Sequence, residues 1–282
     1  MTEALKKIGF ICFLSISLIK INAQNVDLEY LIQVESEIAG MFDSLYNLPP
    51  GTESLSLNEE ILQRFEQALK LDESVFYPWK KLVKIGKISS KEKRLKIFTW
   101  YLTLENGEYQ YYGFIQYQSG KKKRMENKVF QLSDHSENMI NPEIKNLTAE
   151  NWYGALYFDM ISFTHKKKTF YAILGFDFNT PSSNKKLIEV LQFNRKGQPS
   201  FGGDFKMELD NKQRIIFEYS RDIVMTLKYD KRLKMIVFDH LSPFNPILSG
   251  NYAFYGPDGS YDGLSFEDGE FIINRDVDAR NY

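Results

Sequence analysis

The 282-residue chain has one cysteine, three histidines and almost no net charge, and each shortage removes a class of function. Cys12 sits inside an N-terminal apolar run, so the remainder of the chain has no thiol for a disulfide, a thiolate metal site or a cysteine nucleophile. Lys and Arg number 36 against 37 Asp and Glu, which removes any global attraction to nucleic acid or an anionic surface. Gly-x-Ser-x-Gly, His-Glu-x-x-His, Gly-x-Gly-x-x-Gly and phosphate-loop motifs are all missing, and no residue pattern specifies a cofactor or a metal. Beyond the N-terminus no apolar run approaches the roughly 20 residues of a membrane-spanning helix. What is plentiful is core-forming material: 43% hydrophobic residues and 15% aromatic ones.

Residues 1–23 combine Lys6 and Lys7, an apolar stretch from Ile8 to Ile19, and Ala23 at a small-residue cut site. Those are the three parts of a secretory signal peptide, so cleavage near Ala23 and a secreted or periplasmic location are expected. Removing 23 residues from 282 leaves 259, with 33 basic and 36 acidic side chains and no cysteine.

In the following segment apolar residues at Leu31, Val34, Ile38, Met41, Phe42 and Leu45 have the spacing of an amphipathic helix. Pro49, Pro50 and Gly51 break it, and Ser56 with Glu59 opens a second helix whose stripe is Ile61, Leu62, Phe65 and Leu69. After Ser89 and Ser90 the hydrophobic period changes from about 3.6 to 2. Runs 94–104 and 109–117 flank the hairpin signal Asn106-Gly107; 152–163 and 169–178 flank a lysine turn; 187–193, 214–219, 223–229, 233–241, 251–255 and 270–273 follow. The connections are too short for parallel crossovers, so a mainly β fold is expected: an antiparallel meander of about a dozen strands, as a sandwich, barrel or propeller-like array, behind a short helical segment. The expected division is a signal peptide at 1–23, a helical segment at 24–88 packing on the sheet, and an antiparallel β domain at 89–282.

Three segments carry a resemblance. Ser90 to Trp100, Ile115-Gln116-Tyr117, and Tyr255-Gly256-Pro257-Asp258-Gly259-Ser260-Tyr261-Asp262-Gly263 resemble uncharacterised secreted proteins of Bacteroidota-type bacteria. In the turn before the arginine-bearing strand this chain has Lys91-Glu92-Lys93, where that group has an acidic residue and often a glycine. The resemblance implies bacterial export and brings no activity or catalytic residue with it.

The Asp258 to Gly263 loop alternates oxygen side chains as calcium loops do, but the twelfth position is Gly269, with no bidentate acid, so a structural Asp/Gly turn is expected. Among the histidines, His240 follows Asp239, and neighbours on a regular strand face opposite ways, so the two are not expected to pair. His165 opens a lysine turn and His135 lies in a polar stretch. The basic runs 121–124 and 166–168 read as solvated hairpin ends that would form an anion-binding patch if both projected from one end of the sheet. Aromatic crowding at Trp100 to Tyr117 suits either core packing or a ligand face with rings to stack and Gln116 to hydrogen-bond. The candidate ligand-binding residues are therefore Trp100, Tyr112, Gln116, Asp258, Tyr261 and Asp262. The expected function is that of an exported non-enzymatic protein binding a glycan, a peptide or a partner protein. The alternatives are an exported hydrolase using scattered carboxylates and a structural or assembly component of the cell envelope.

Overall fold

The computed structural model describes residues 27–121, 124–202 and 212–279, so the expected leader, Lys122 and Lys123 lie outside the described residues. The chain divides into two compact units, Met1–Lys84 and Ile85–Tyr282. The first unit holds helix α1 (27–45) and helix α2 (Thr52–Leu69), followed by a short 3-10 turn, Asp72–Val75. The stripes expected from the sequence are the ones buried: Leu31, Val34, Ile38, Phe42 and Leu45 on α1, and Ile61, Leu62, Phe65 and Leu69 on α2. Trp79 completes that core, its ring edge-on to Phe65 at 5.2 Å. The buried Glu35 is satisfied by the Tyr77 hydroxyl at 2.6 Å and the Lys81 amide at 2.7 Å.

The second unit is mainly β, and every strand pair in it is antiparallel. It starts before the expected Ser89, because β1 (Gly86–Ser89) already pairs with β2 (Leu95–Thr103). The first sheet runs β1, β2, β3 (Tyr109–Lys121), β4 (Arg124–Ser133) in order. The second runs β5 (Leu156–His165), β6 (Lys168–Asp177), β7 (Ser183–Phe193) and β8 (Pro199–Phe201), with β9 (Arg214–Ser220) sharing the β8 edge of β7. The third runs β10 (Leu227–Asp230), β11 (Met235–Pro243), β12 (Tyr255–Glu267) and β13 (Glu270–Asn274).

The three sheets stack through two cores, an architecture of sandwich type. One core joins Ile97, Tyr111 and Ile115 of the first sheet to Tyr171, Ile173, Leu187 and Leu191 of the second. The other joins Phe170, Ala172, Leu174, Ile188 and Val190 of the second to Leu227, Ile236, Phe238 and Leu264 of the third. The middle sheet is therefore covered on both faces, which is why β6 reads as an unbroken apolar run, Phe170 to Leu174. Each fully buried Leu, Ile or Phe in these layers contributes about 2 kcal/mol from area removed from water.

Three expected elements are corrected. The run 251–255 is a 3-10 turn, Tyr252–Phe254, leading into β12, and the 223–229 run is a strand only from Leu227. Asp258-Gly259-Ser260 is not a turn between strands but a bulge inside β12: Leu241 pairs with Pro257 and Asp239 with Tyr261, so three residues oppose one, and Gly259 takes φ +95° there.

Candidate functional site

The interlayer between the first and second sheets opens at one end into a cleft of about 360 Å³, lined among others by Tyr109, Tyr111, Tyr153, Asp177, Asn179 and Lys185, with Glu108 and Glu137 at its mouth. Local chain logic places these groups. Residues 105–107 form a three-residue hairpin loop, closed by the Leu104 amide on the Glu108 carbonyl and with Gly107 at its αL position, and this sets Glu108 and Tyr109 at the entry to β3. Asp177 ends the apolar strand β6, in register with Lys185 of β7, so both project from the same face as Tyr171 and Ile173.

Asp177 is 7% exposed and its carboxylate is held from three sides. Oδ1 accepts from the Tyr111 hydroxyl at 2.9 Å and from the Asn179 amide at 2.8 Å, and Oδ2 accepts from the Tyr153 hydroxyl at 3.3 Å. Tyr111 in turn accepts from the Phe178 amide at 2.7 Å, which fixes the direction of its proton toward Asp177. Burial pushes the Asp177 carboxyl above its ordinary range, opposed by its amide bond and by the Lys185 charge. Burial likewise drives the Tyr111 and Tyr153 hydroxyls up, with the Asp177 charge adding to it, so both stay protonated donors.

Behind this lies a second carboxylate, Asp134, which accepts from the Tyr111 amide at 2.9 Å and from the Ser136 amide and hydroxyl at 2.9 and 2.7 Å. Its pKa is also raised, by burial first. Gly154, at φ +83°, lies against it so closely that a Cβ there would overlap the carboxylate. Deeper still, Glu189 and Arg214 are fully buried as an ion pair at 2.6 Å. Glu189 also accepts a short bond from the Tyr157 hydroxyl, and Arg214 donates to the carbonyls of Pro142 and Lys145, the former contact short. Since Pro142 lines the cleft, the buried pair anchors one of its walls. At the rim Tyr109 stacks on Phe178 at 4.7 Å, Tyr101 tilts against Phe178 at 4.7 Å, and Arg221 donates to the Tyr109 hydroxyl at 3.1 Å.

The residues picked out from the sequence lie elsewhere. Trp100, Tyr112 and Gln116 occupy the opposite face of the first sheet: Trp100 is fully buried and stacked on Tyr112 at 6.1 Å, and Gln116 is also buried. Asp258, Tyr261 and Asp262 belong to the third sheet. Asp258 accepts from the Ser260 amide at 2.9 Å, and the buried Asp262 accepts from Arg275 and pairs with His240 Nδ1 at 2.9 Å. His240 thus faces Asp262 across the ladder, while Asp239 accepts from the Thr226 amide at 2.6 Å. Among the described residues no group of three or more His, Cys, Asp and Glu side chains converges as metal ligands. Tyr111 and Asp177 are the residues the sequence reading missed; the available signal was an acid closing an uninterrupted apolar strand, Phe170 to Asp177.

No protein-family model matches the chain, and neither a curated protein nor a solved structure matches it.

Proposed function

We propose that the protein is an exported binding protein whose cleft at Asp177 takes a small polyhydroxylated ligand, a sugar residue of a glycan. The observation that carries this reading is a buried carboxylate at a cleft wall, oriented by two tyrosine hydroxyls and a backbone amide, beside an amine (Lys185), an amide side chain (Asn179) and the ring of Tyr109. Few fixed polar groups beside aromatic rings is the composition that suits a ligand with many hydroxyls and apolar C–H faces. Export rests on the basic, apolar and small-residue parts of segment 1–23. Screening the purified protein against neutral oligosaccharides by calorimetry tests the ligand class; Asp177→Asn and Tyr109→Ala should each weaken a hit about tenfold or more. Hits indifferent to both substitutions would dismiss this cleft. Intact mass of the cell-envelope or medium fraction tests export, and a mass retaining residues 1–23 counts against it.

One observation favours a second reading. A carboxyl with a raised pKa in a cleft is what a general acid requires, so glycoside hydrolysis with Asp177 as acid and Glu108 or Glu137 as its partner is the alternative. Turnover of aryl glycosides that disappears in Asp177→Asn, while binding persists, selects it over simple binding.

A further inference from the structure

The same interlayer opens at its other end into a second cleft, of about 460 Å³, and its chemistry is different. Strands β3 and β6 run from one opening to the other, so Tyr117 and Tyr171 stand here where Tyr109 and Asp177 stand at the first. Three cations line it, Arg94, Lys167 and Lys168, against one carboxylate, Glu92. We infer that this cleft is a binding site for a small oxyanion group, the sulfate, phosphate or carboxylate of an anionic ligand, and that Arg94 and Lys167 are its principal contacts.

Four observations support the assignment. Arg94 is pre-oriented by neutral partners only: Nε and Nη2 donate to the Gln118 carbonyl at 3.0 and 2.7 Å and Nη2 to the Gly120 carbonyl at 2.8 Å. Among the described residues it makes no ion pair, so its charge is uncompensated and its second terminal nitrogen is available. Glu92 is occupied, accepting from the Tyr171 hydroxyl at 2.7 Å and the Ser162 hydroxyl at 3.3 Å, and leaves a local excess of positive charge. The aromatic wall is stiff, with Tyr117 and Phe193 stacked at 3.7 Å and 8°. Finally, Lys166 and Lys167 form the two-residue turn between β5 and β6 at φ +46° and +67°, a conformation for which Asn-Gly is the favoured pair. Two lysines hold strained positions that glycine would fill more comfortably, and one of them faces the cleft.

The test exploits that strain. The intact protein is titrated with sodium sulfate, sodium phosphate and sodium glucuronate against sodium chloride at matched ionic strength, with calorimetry and thermal unfolding as readouts. Wild type should bind at least one of the three above the chloride baseline, and which one it prefers identifies the oxyanion. Lys166→Asn with Lys167→Gly should unfold at the same or a higher temperature and yet bind that anion about fivefold more weakly. Arg94→Gln should weaken it at least as much, whereas Glu92→Gln, which removes the opposing charge, should tighten it. Lys231→Ala, in the exposed turn between β10 and β11, should leave it unchanged. Absence of binding above chloride, or binding that the turn variant and Glu92→Gln do not move in opposite directions, overturns the inference.

Discussion

At the scale of single residues, Asp177 shows what a buried carboxylate costs and what it is kept for. Its folded-state pKa is raised, so its proton is held more tightly in the folded than in the unfolded chain. The stability it contributes is therefore fully present below the ordinary value of 3.8 and lost as pH rises through the raised folded value. At neutral pH the ionised group is a burden on the fold, which Asn relieves while keeping an oxygen for Tyr111 and Asn179 to bond. Asp177→Asn should stabilise by about 1 kcal/mol at pH 7 and by less at pH 4, at the expense of binding. Urea denaturation at the two pH values checks this, and a loss of stability at both would show that the hydrogen bonds outweigh desolvation. Gly154 makes the complementary case. Its φ of +83° disfavours any L side chain, and a methyl group would collide with Asp134, so Gly154→Ala should cost about 2–4 kcal/mol. Equilibrium unfolding would refute that with a change under about 0.5 kcal/mol, the range of an ordinary surface substitution.

At the scale of elements, the Glu189–Arg214 pair links β7 and β9 to the 142–145 segment that walls the first cleft. Arg214→Met leaves Glu189 as an unpaired charge in the interlayer and should cost about 3–5 kcal/mol, whereas the double change to Met at both positions should cost much less, as expected for a fully buried ion pair. Denaturant midpoints of the two single variants and the double variant measure the coupling; additive losses would mean the charges act independently. Strand identity was legible wherever the period was clean: the Asn106-Gly107 hairpin and the lysine turn at 165–168 fall where the sequence places them. The face was not. Trp100, Tyr112 and Gln116 lie one residue out of phase with Tyr101, Tyr111 and Tyr117, and because side chains alternate, that single step moves the candidates from the clefts to the opposite side of the sheet. Both faces of β2 and β3 are rich in apolar groups, so no polar alternation marked which face was which. β4 was hidden for a different reason: Arg124 to Ser133 is a half-exposed edge strand with few apolar residues, and it is recognisable only by its pairing to β3.

At the scale of the β unit, three sheets in a stack give one middle sheet with two dry faces and two outer sheets, and the openings at Asp177 and Arg94 are the two ends of the same layer. From Asp177 to Thr169 along β6 is eight residues, or about 26 Å at the rise of a strand, so the two clefts are separate subsites that a single sugar ring does not span. Between them the layer is filled by Ile173, Leu187, Ile115 and the Glu189–Arg214 pair, and such close packing predicts a stiff layer. That stiffness is measurable. Amides of β6 and β7 are paired on both sides along most of their length and roofed by both cores, so they should exchange with solvent only through global opening of the unit. Amides of β1, β10 and β13 have one neighbouring strand each and should exchange through local fraying, at rates orders of magnitude faster. Hydrogen–deuterium exchange read by mass spectrometry over 168–193 against 86–89, 227–230 and 270–274 separates the two regimes. Equal protection across these segments would mean that the layers open as one cooperative body, and that the clefts are no better ordered than the sheet edges.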